Sequence, residues 1–426
     1  METQKLYEIY KECPVISTDT RKIQGACLFF ALKGPNFNGN AYALQALEAG
    51  ALWAICDEVH GDPHPQVILV PDALKALQAL ASFHIAQLGI PVLAITGSNG
   101  KTTTKELTAR VLAARYKVYA TQGNFNNHIG VPLSILAIAP DTEIAVLEMG
   151  DNRPGDITEL CQIAHPTHGI ITNIGKDHLE GFGSWEGNLR AKSELFDYFL
   201  KQSGVAIVNR EDPVLQPMAR RFEAPVFYGG ADDPDQLLAA NPFIVYQNQA
   251  GERVETQLPG DYNFANIRAA ACFGRLFHVP ESAIHQAIAT YQPQNNRSQW
   301  ISHPRNTILQ DAYNANPSSV SAALGNFSRI STPLKKAVIL GDMFELGETT
   351  AQEHKAMVEL ALAQHFDLAI FCGKLYANAQ KDGGLFFADK QSLHQWLAAQ
   401  RVEGYMVLLK GSRGMQMETV VNYLTD

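Results

Sequence analysis

The segment AITGSNGKTTT (94–104) carries residue types suited to gripping a polyphosphate. An apolar run leads into a loop with Gly97 and Gly100, and Lys101 and Thr102 open a helical stretch. Glycines in such a loop let backbone N–H groups approach phosphate oxygens, and the helix N-terminus adds positive potential. Lys101 would reach the β- and γ-phosphates, and the Thr102 hydroxyl would hold Mg2+. The usual pattern has a further glycine at position 95, where this chain has Ile95. A plain αβ turn with a chance Gly-Lys-Thr is the alternative reading.

Other segments place chemistry at the ends of apolar runs. AVLEMG (145–150) puts Glu148 at the carboxyl end of a strand, where open α/β sheets build their sites; it could bind Mg2+ or be an acid at a helix start. THGIITNIGKDHLEGFG (167–183) delivers Asp177 and His178 into a Gly-rich loop, as ligands or as polar surface. Lys192, in LRAKSELFD (189–197), sits on an expected helix and reads as a solvated lysine. DYNFANIRAA (261–270) offers Asn263 and Asn266, either as amides that recognise a purine edge or as helix caps. Arg297, Asp311 with Asn314 and Asn316, and Lys410 with Arg413 are each consistent with an anionic ligand held between domains.

These residues need a large scaffold, and the chain supplies one. At roughly 100–200 residues per domain, 426 residues make two to four domains. A composition of 46% hydrophobic and 18% charged residues excludes disorder as the dominant state. The net charge of -9 argues against a nucleic-acid partner. Six scattered cysteines form neither a disulfide framework nor a zinc pattern and suit a reducing cytoplasm. No run of about 20 apolar residues is present to insert into a membrane.

Three blocks follow from the periodicity. Residues 1–88 read as a small mixed α/β unit with strands near 26–32, 51–57 and 67–70, a helix over 41–51 and a turn cluster at 60–65. In 89–296, apolar runs at 91–96, 117–121, 144–149, 168–174 and 205–209 alternate with helical stretches, which predicts a mostly parallel sheet covered on both faces. The stretch around 230–260 has no clear period. In 297–426, runs at 306–312, 335–342, 367–373 and 405–411 predict a second doubly wound unit.

Taken in this order, the motifs resemble the Mur ligase family, ATP-dependent amide-forming enzymes of peptidoglycan synthesis, over nearly the whole chain. ISTDTRKIQGACLFFALKG (16–34) is similar to the family's uridine-nucleotide-binding domain, which implies Thr20 and Arg21 as substrate contacts. GNFNNHIGVPLSIL (123–136) resembles the loop after the P-loop helix and implies the same for Asn124. DAYNANPSS (311–319), VILGDMFELGE (338–348) with His354, and KGSRGMQME (410–418) resemble the member that uses UDP-N-acetylmuramoyl-tripeptide and D-alanyl-D-alanine, with Asn314 and Asn316 at the substrate. The D-Y-A-H and D-N-P-[RK] segments of the third-residue-adding relative are absent.

The resemblance implies an α/β fold of three domains: a small mixed N-terminal domain, a central P-loop ATPase-like parallel sheet and a C-terminal Rossmann-like domain. It implies that Gly97, Ser98, Asn99, Gly100, Lys101, Thr102 and Thr103 cradle ATP. Thr102 and Glu148 would bind one Mg2+ and His178 a second, and Lys192 would be carbamylated by CO2 to an anionic group that supports the metal. Lys101, Lys192 and His178 form the implied catalytic set; Asn263 and Asn266 would contact adenine, and Arg297 and Asp311 the nucleotide. Tyr262 stands where the family often has His, and Asn38-Gly39-Asn40 replaces the usual D-[GA]-H. A monomeric cytoplasmic ligase is the expectation. The alternatives are the third-residue-adding relative, folylpolyglutamate synthetase, or a P-loop nucleotide switch, whose N-K-x-D segment NIGKD (173–177) would be out of register.

Overall fold

Short β-branched runs buried on both faces pair in parallel, and three such sheets organise this chain. The computed structural model describes residues 2–60 and 63–425. Gly61 and Asp62, within the expected turn cluster, lie outside the described residues, as do Met1 and Asp426.

The first sheet is parallel, in the order β1 (Ile16–Ser17), β2 (Leu28–Phe30), β3 (Trp53–Cys56), β4 (Val67–Leu69). It is flanked by α1 (Thr3–Glu12), α2 (Ala43–Glu48) and α3 (Ala73–Leu88). Asp72 caps α3 by accepting from Lys75 N, and Gly89 ends it at φ 61°. The α3 side chains Leu77, Leu80, Ala81 and Ile85 are buried in a core that also holds Phe30 and Ile55 of the first unit and Leu147 and Leu160 of the second. Tyr10 Oη donates to Leu136 O at 2.6 Å across the same seam. The first two units therefore share one core.

The central sheet is wholly parallel. Its strands are β5 (Val92–Thr96), β6 (Val118–Ala120), β7 (Ile144–Glu148), β8 (His168–Ile171), β9 (Val205–Asn209) and β10 (Val226–Tyr228), in the order β10-β9-β8-β5-β7-β6. The chain leaves β5, returns through the edge to β7, then crosses to β8 on the other side. Loops after β5, β7 and β8 thus open side by side at the carboxyl edge where the order reverses, the usual place for a ligand. Its helices include α4 (Lys101–Leu112), α5 (Gly130–Leu136), α6 (Asp156–Ala164), α7 (Trp185–Gln202) and, further on, α8 (Phe264–Leu276).

The stretch without clear period folds as an antiparallel meander of β11 (Gln236–Ala240), β12 (Phe243–Gln247) and β13 (Arg253–Pro259). Its burial alternates along β13, with Val254, Thr256 and Leu258 inward. One face is wet, so no continuous apolar run marks it.

The C-terminal sheet is ordered β14 (Gln299–Ser302), β15 (Asn306–Asp311), β19 (Tyr405–Lys410), β16 (Lys335–Gly341), β17 (Leu368–Cys372), β18 (Leu385–Phe387). All neighbours are parallel except β14, which pairs antiparallel with β15. The two edge strands are additions to the four expected ones. Helices α9 (Pro317–Arg329) and α10 (Thr350–Ala363) cover one face. The architecture is the expected α/β arrangement of a small first unit, a parallel central sheet and a C-terminal Rossmann-like sheet.

Candidate active site

After Thr96 the chain turns through Gly97 to Gly100 and enters α4 at Lys101. Gly97 and Gly100 sit at φ 134° and 82°, conformations that side chains rarely adopt. A Cβ at Gly97 would overlap Thr172 Oγ1, and one at Gly100 would lie 2.6 Å from Asn266 Oδ1. The loop is tied to the end of β8: Ser98 N donates to Asn173 O at 2.9 Å and Thr172 Oγ1 donates to Asn99 O at 2.6 Å. Lys101 Nζ lies back over the loop and donates to Gly97 O. Burial and the neighbouring Lys192 ammonium push the Lys101 amine below the ordinary lysine range. Gly97→Ala should therefore lower affinity for an ATP analogue by roughly tenfold or more, since strain of about 1–3 kcal/mol falls on the loop. Calorimetric titration checks this, and parent-like affinity would contradict the tight-loop geometry.

Glu148 closes β7 as a strand-end acid, and the helix-start reading does not hold. Its two oxygens are already aimed, one accepting from Thr102 Oγ1 and the other from Asn126 Nδ2, each at 2.8 Å. A hydroxyl and a carboxylate this close form the hard-oxygen pair that Mg2+ takes alongside water and phosphate ligands. Among the described residues, no cluster of three or more His, Cys, Asp or Glu side chains encloses a metal position. The residues present fit a cation completed by a bound phosphate.

Lys192 is not a solvated lysine. On α7 it is 0% exposed, because Leu195, Phe196 and Phe199 turn the same face inward. Its Nζ donates to Asn188 Oδ1 at 2.6 Å and Asp151 Oδ1 at 3.0 Å, and stands 3.3 Å from Asp177 Oδ2. Asp177 Oδ1 accepts from Ser98 Oγ and from Asn188 Nδ2, so the phosphate loop and this cluster are joined. Burial alone would raise the Asp177 carboxyl; the Lys192 and Lys101 ammonium groups and the Ser98 hydrogen bond outweigh it and hold it low. His178 follows in a left-handed conformation, φ 48°, and its Nδ1 meets Glu345 Oε2 of the C-terminal unit at 2.5 Å. That contact turns its ring toward the third sheet.

Asn263 and Asn266 do not cap α8, so the capping alternative falls. Asn263 Nδ2 donates to Pro259 O, and Asn266 links Asn263 to Thr104, tying α8 to α4. In the third sheet, Asp311 and Lys410 are register partners at the ends of β15 and β19, and Lys410 Nζ donates to Asp311 Oδ2 at 2.6 Å. The Arg297 guanidinium lies 3.7 Å from the Tyr313 ring centroid, and its buried Nε has no acceptor among the described residues. Asn316 caps α9 by accepting from Ser319 N at 2.8 Å.

These groups face one cavity of ≈ 860 Å3 between the central and C-terminal units. Ser98, Asn99, Gly100, Lys101, Thr102, Thr103, Asn124, Glu148, His178, Asn263, Asn266, Arg297, Asp311, Asn314 and Asn316 all line it. Gly97 precedes the lining residues of the loop, and Lys192 stands behind Asp151, which lines the wall. Thr20 and Arg21 are elsewhere, on a separate groove of ≈ 1390 Å3 where the first unit meets Phe125 and Leu133. There Arg21 is exposed and paired with Asp19 at 2.8 Å. Asn40 is buried and holds Asp57 at 2.8 Å, so the Asn-Gly-Asn segment is a structural anchor. His354, also buried, accepts from Met343 N and steadies the loop after β16. Sequence reasoning missed Asp151, Asn126 and Asn188; only the i,i+4 spacing of Asn188 and Lys192 could have flagged one of them.

Two family matches cover the same ground: the Mur ligase middle domain over residues 95–274 and the Mur ligase, glutamate ligase domain over 296–413. A UDP-N-acetylmuramoyl-tripeptide–D-alanyl-D-alanine ligase of Bacillus subtilis (strain 168) is 35% identical, covering 96% of this chain and 93% of its own. Among solved structures, MurF from Acinetobacter baumannii superposes with TM-score 0.87 at 29% identity, covering 96% of this chain and 93% of that one. MurF ligase from Thermotoga maritima in complex with ADP gives 0.86 at 27% identity, covering 96% and 97%.

Proposed function

The chain belongs to the Mur ligase family, and from that premise we infer that it joins D-alanyl-D-alanine to UDP-N-acetylmuramoyl-tripeptide, converting ATP to ADP and phosphate. It is an ATP-dependent ligase of cell-wall synthesis. The observation that carries this reading is the cavity in which Lys101 of the phosphate loop and Glu148 at the end of β7 face Asn314 and Asn316 of the C-terminal unit. The same two segments that resemble, respectively, the family's nucleotide site and its dipeptide-adding member thus meet in space.

A carboxylate is a poor electrophile. In the first step the tripeptide's terminal carboxylate oxygen attacks the γ-phosphorus and ADP leaves, giving an acyl phosphate. The Lys101 ammonium and the N–H groups of the loop stabilise charge on the phosphoryl oxygens. In the second step the dipeptide amine attacks the acyl carbon, phosphate is expelled and the amine loses a proton. The walls from β15 and α9 exclude water, which would otherwise hydrolyse the acyl phosphate. Thr102 and Glu148 would hold one Mg2+ and His178 would help hold a second; bound there, the cations neutralise phosphate charge.

Lys192 is the lysine we assign to carbamylation. As an ammonium it neutralises Asp151 and Asp177; as a carbamate it would add a third anion, which the two Mg2+ must balance. Asn263 and Asn266 are assigned to adenine, Arg297 and Asp311 to the rest of the nucleotide, and Thr20 and Arg21 to the uridine end of the substrate. The domains are taken as 1–88, 89–296 and 297–426, supported by sheets at 16–69, 92–228 and 299–410. No helix among the described residues is long and apolar enough to cross a membrane. Nucleotide-linked substrates and six free, buried cysteines support a cytoplasmic setting. Purified protein should release phosphate from ATP only when both the UDP-tripeptide and D-alanyl-D-alanine are present. Release that needs neither, or only one, would overturn the assignment.

A further inference from the structure

Among the described residues, the amide of Asn99 is the side chain of the phosphate loop that hydrogen-bonds to another unit. Its Nδ2 donates to Ser318 Oγ at 3.0 Å, and its Oδ1 accepts from Asn316 Nδ2 at 2.9 Å. Ser318 Oγ in turn donates to Asn316 Oδ1 at 2.9 Å. The three groups close a ring in which each hydrogen bond aligns the next, across more than two hundred residues of sequence. Asn316 is also the cap of α9, so the ring is rigid on the C-terminal side. On the other side, the Asn99 backbone is fixed by Thr172 and Asn173.

A second observation shows that the close approach is built in. Gly175 lies under Ser318, and a Cβ there would come within 2.7 Å of Ser318 Oγ. Gly175 N donates to Ser98 Oγ at 2.7 Å, so the glycine that admits Ser318 also braces the loop.

We infer that Ser318 is a positioning residue: with Asn316 it captures the Asn99 amide and makes seating of the C-terminal unit and the shape of the phosphate loop one coupled event. The inference rests on the nucleotide reading of the loop. By linkage, whatever tightens the loop on phosphate favours the seated C-terminal unit, and the reverse holds equally. Ser318 itself need not touch a substrate.

The test is a double-mutant cycle on the full chain, with the non-hydrolysable analogue AMP-PNP and Mg2+ as probe. Ser318→Ala should weaken analogue binding by roughly two- to tenfold, the worth of one net hydrogen bond. It should raise KM for ATP by a similar factor, leave KM for D-alanyl-D-alanine unchanged and leave the melting temperature near the parent's. Asn99→Ala should weaken binding at least as much, and adding Ser318→Ala to it should cost nothing further. Gly175→Ala, which removes no polar group and has an ordinary φ, should reproduce Ser318→Ala by wedging the contact. Parent-like binding by Ser318→Ala, or losses that multiply in the double variant, would overturn the proposal. A parent that binds the analogue but turns over no substrate would sink the assigned reaction and leave the cycle readable; a parent that does not bind it would sink both.

Discussion

Lys101→Ala should bring ligation down to the detection limit, a loss of at least roughly 10²–10³-fold, the range for removing one preorganised donor from a transition state. The reasoning is geometric. Among the described residues, Lys101 Nζ donates only to carbonyl oxygens of its own loop, Gly97 O and Ser98 O, and it shares the cavity wall with Thr102 and Glu148. No core depends on it, so the variant should fold and melt within a few degrees of the parent; losing such contacts costs about 1 kcal/mol. Lys101→Arg should fail as well, because a planar fork cannot occupy the point-like position of the ammonium. Phosphate release by both variants, set beside their melting temperatures, checks this. Near-normal turnover by Lys101→Ala would remove the phosphate-loop assignment.

Lys192 is expected to behave very differently, since it is as much a part of the interior as of the chemistry. Lys192→Ala leaves Asp151 and Asp177 buried without their cation, and breaking a buried pair in this way costs about 3–5 kcal/mol. This variant should therefore lose both activity and much of its stability. A small carboxylate such as formate, occupying the vacated space, should restore part of the turnover. Lys192→Arg keeps a cation beside the two aspartates and should fold, yet be inactive, because a guanidinium cannot take up CO2. In the parent, the neutral amine adds to CO2 and releases a proton, so 13CO2 should appear as a carbamate signal in NMR spectra when Mg2+ is supplied. Lys192→Arg with parent-like activity, together with no labelled signal in the parent, would make Lys192 a structural cation only.

The contrast between these two lysines shows what the sequence could and could not reveal. Lys101 was legible because its chemistry is local: strand, glycine loop and helix lie within eleven consecutive residues. The parallel strands were legible for a related reason, since burial on both faces writes an unbroken apolar run, as in VLAIT and IAVLE. Lys192 was misread as solvated because its partner Asp151 is 41 positions away, joined to it only by the folding of β7 against α7. The meander was missed because one face is wet, and edge strands β10, β14 and β18 because they are short and only partly buried. Thr20 and Arg21 came from resemblance alone, and nothing in their local spacing separates a uridine contact from an exposed turn.

The seam around α3 has a consequence for how this protein can be divided. Phe30 and Ile55 lie in the same buried cluster as Leu147 and Leu160, with Leu77 and Leu80 of α3 between them, whereas the C-terminal sheet has clusters of its own. Cutting the chain near residue 88 would strand apolar surface on both fragments, while a cut between Tyr291 and Gln299 would cross a segment bounded by separate cores. The two parallel sheets of the first two units are thus expected to unfold together, as one cooperative unit. The C-terminal unit is the natural cassette: exchanging it between relatives would open no shared core, provided the incoming unit keeps the contacts of Asn316 and Ser318 with Asn99.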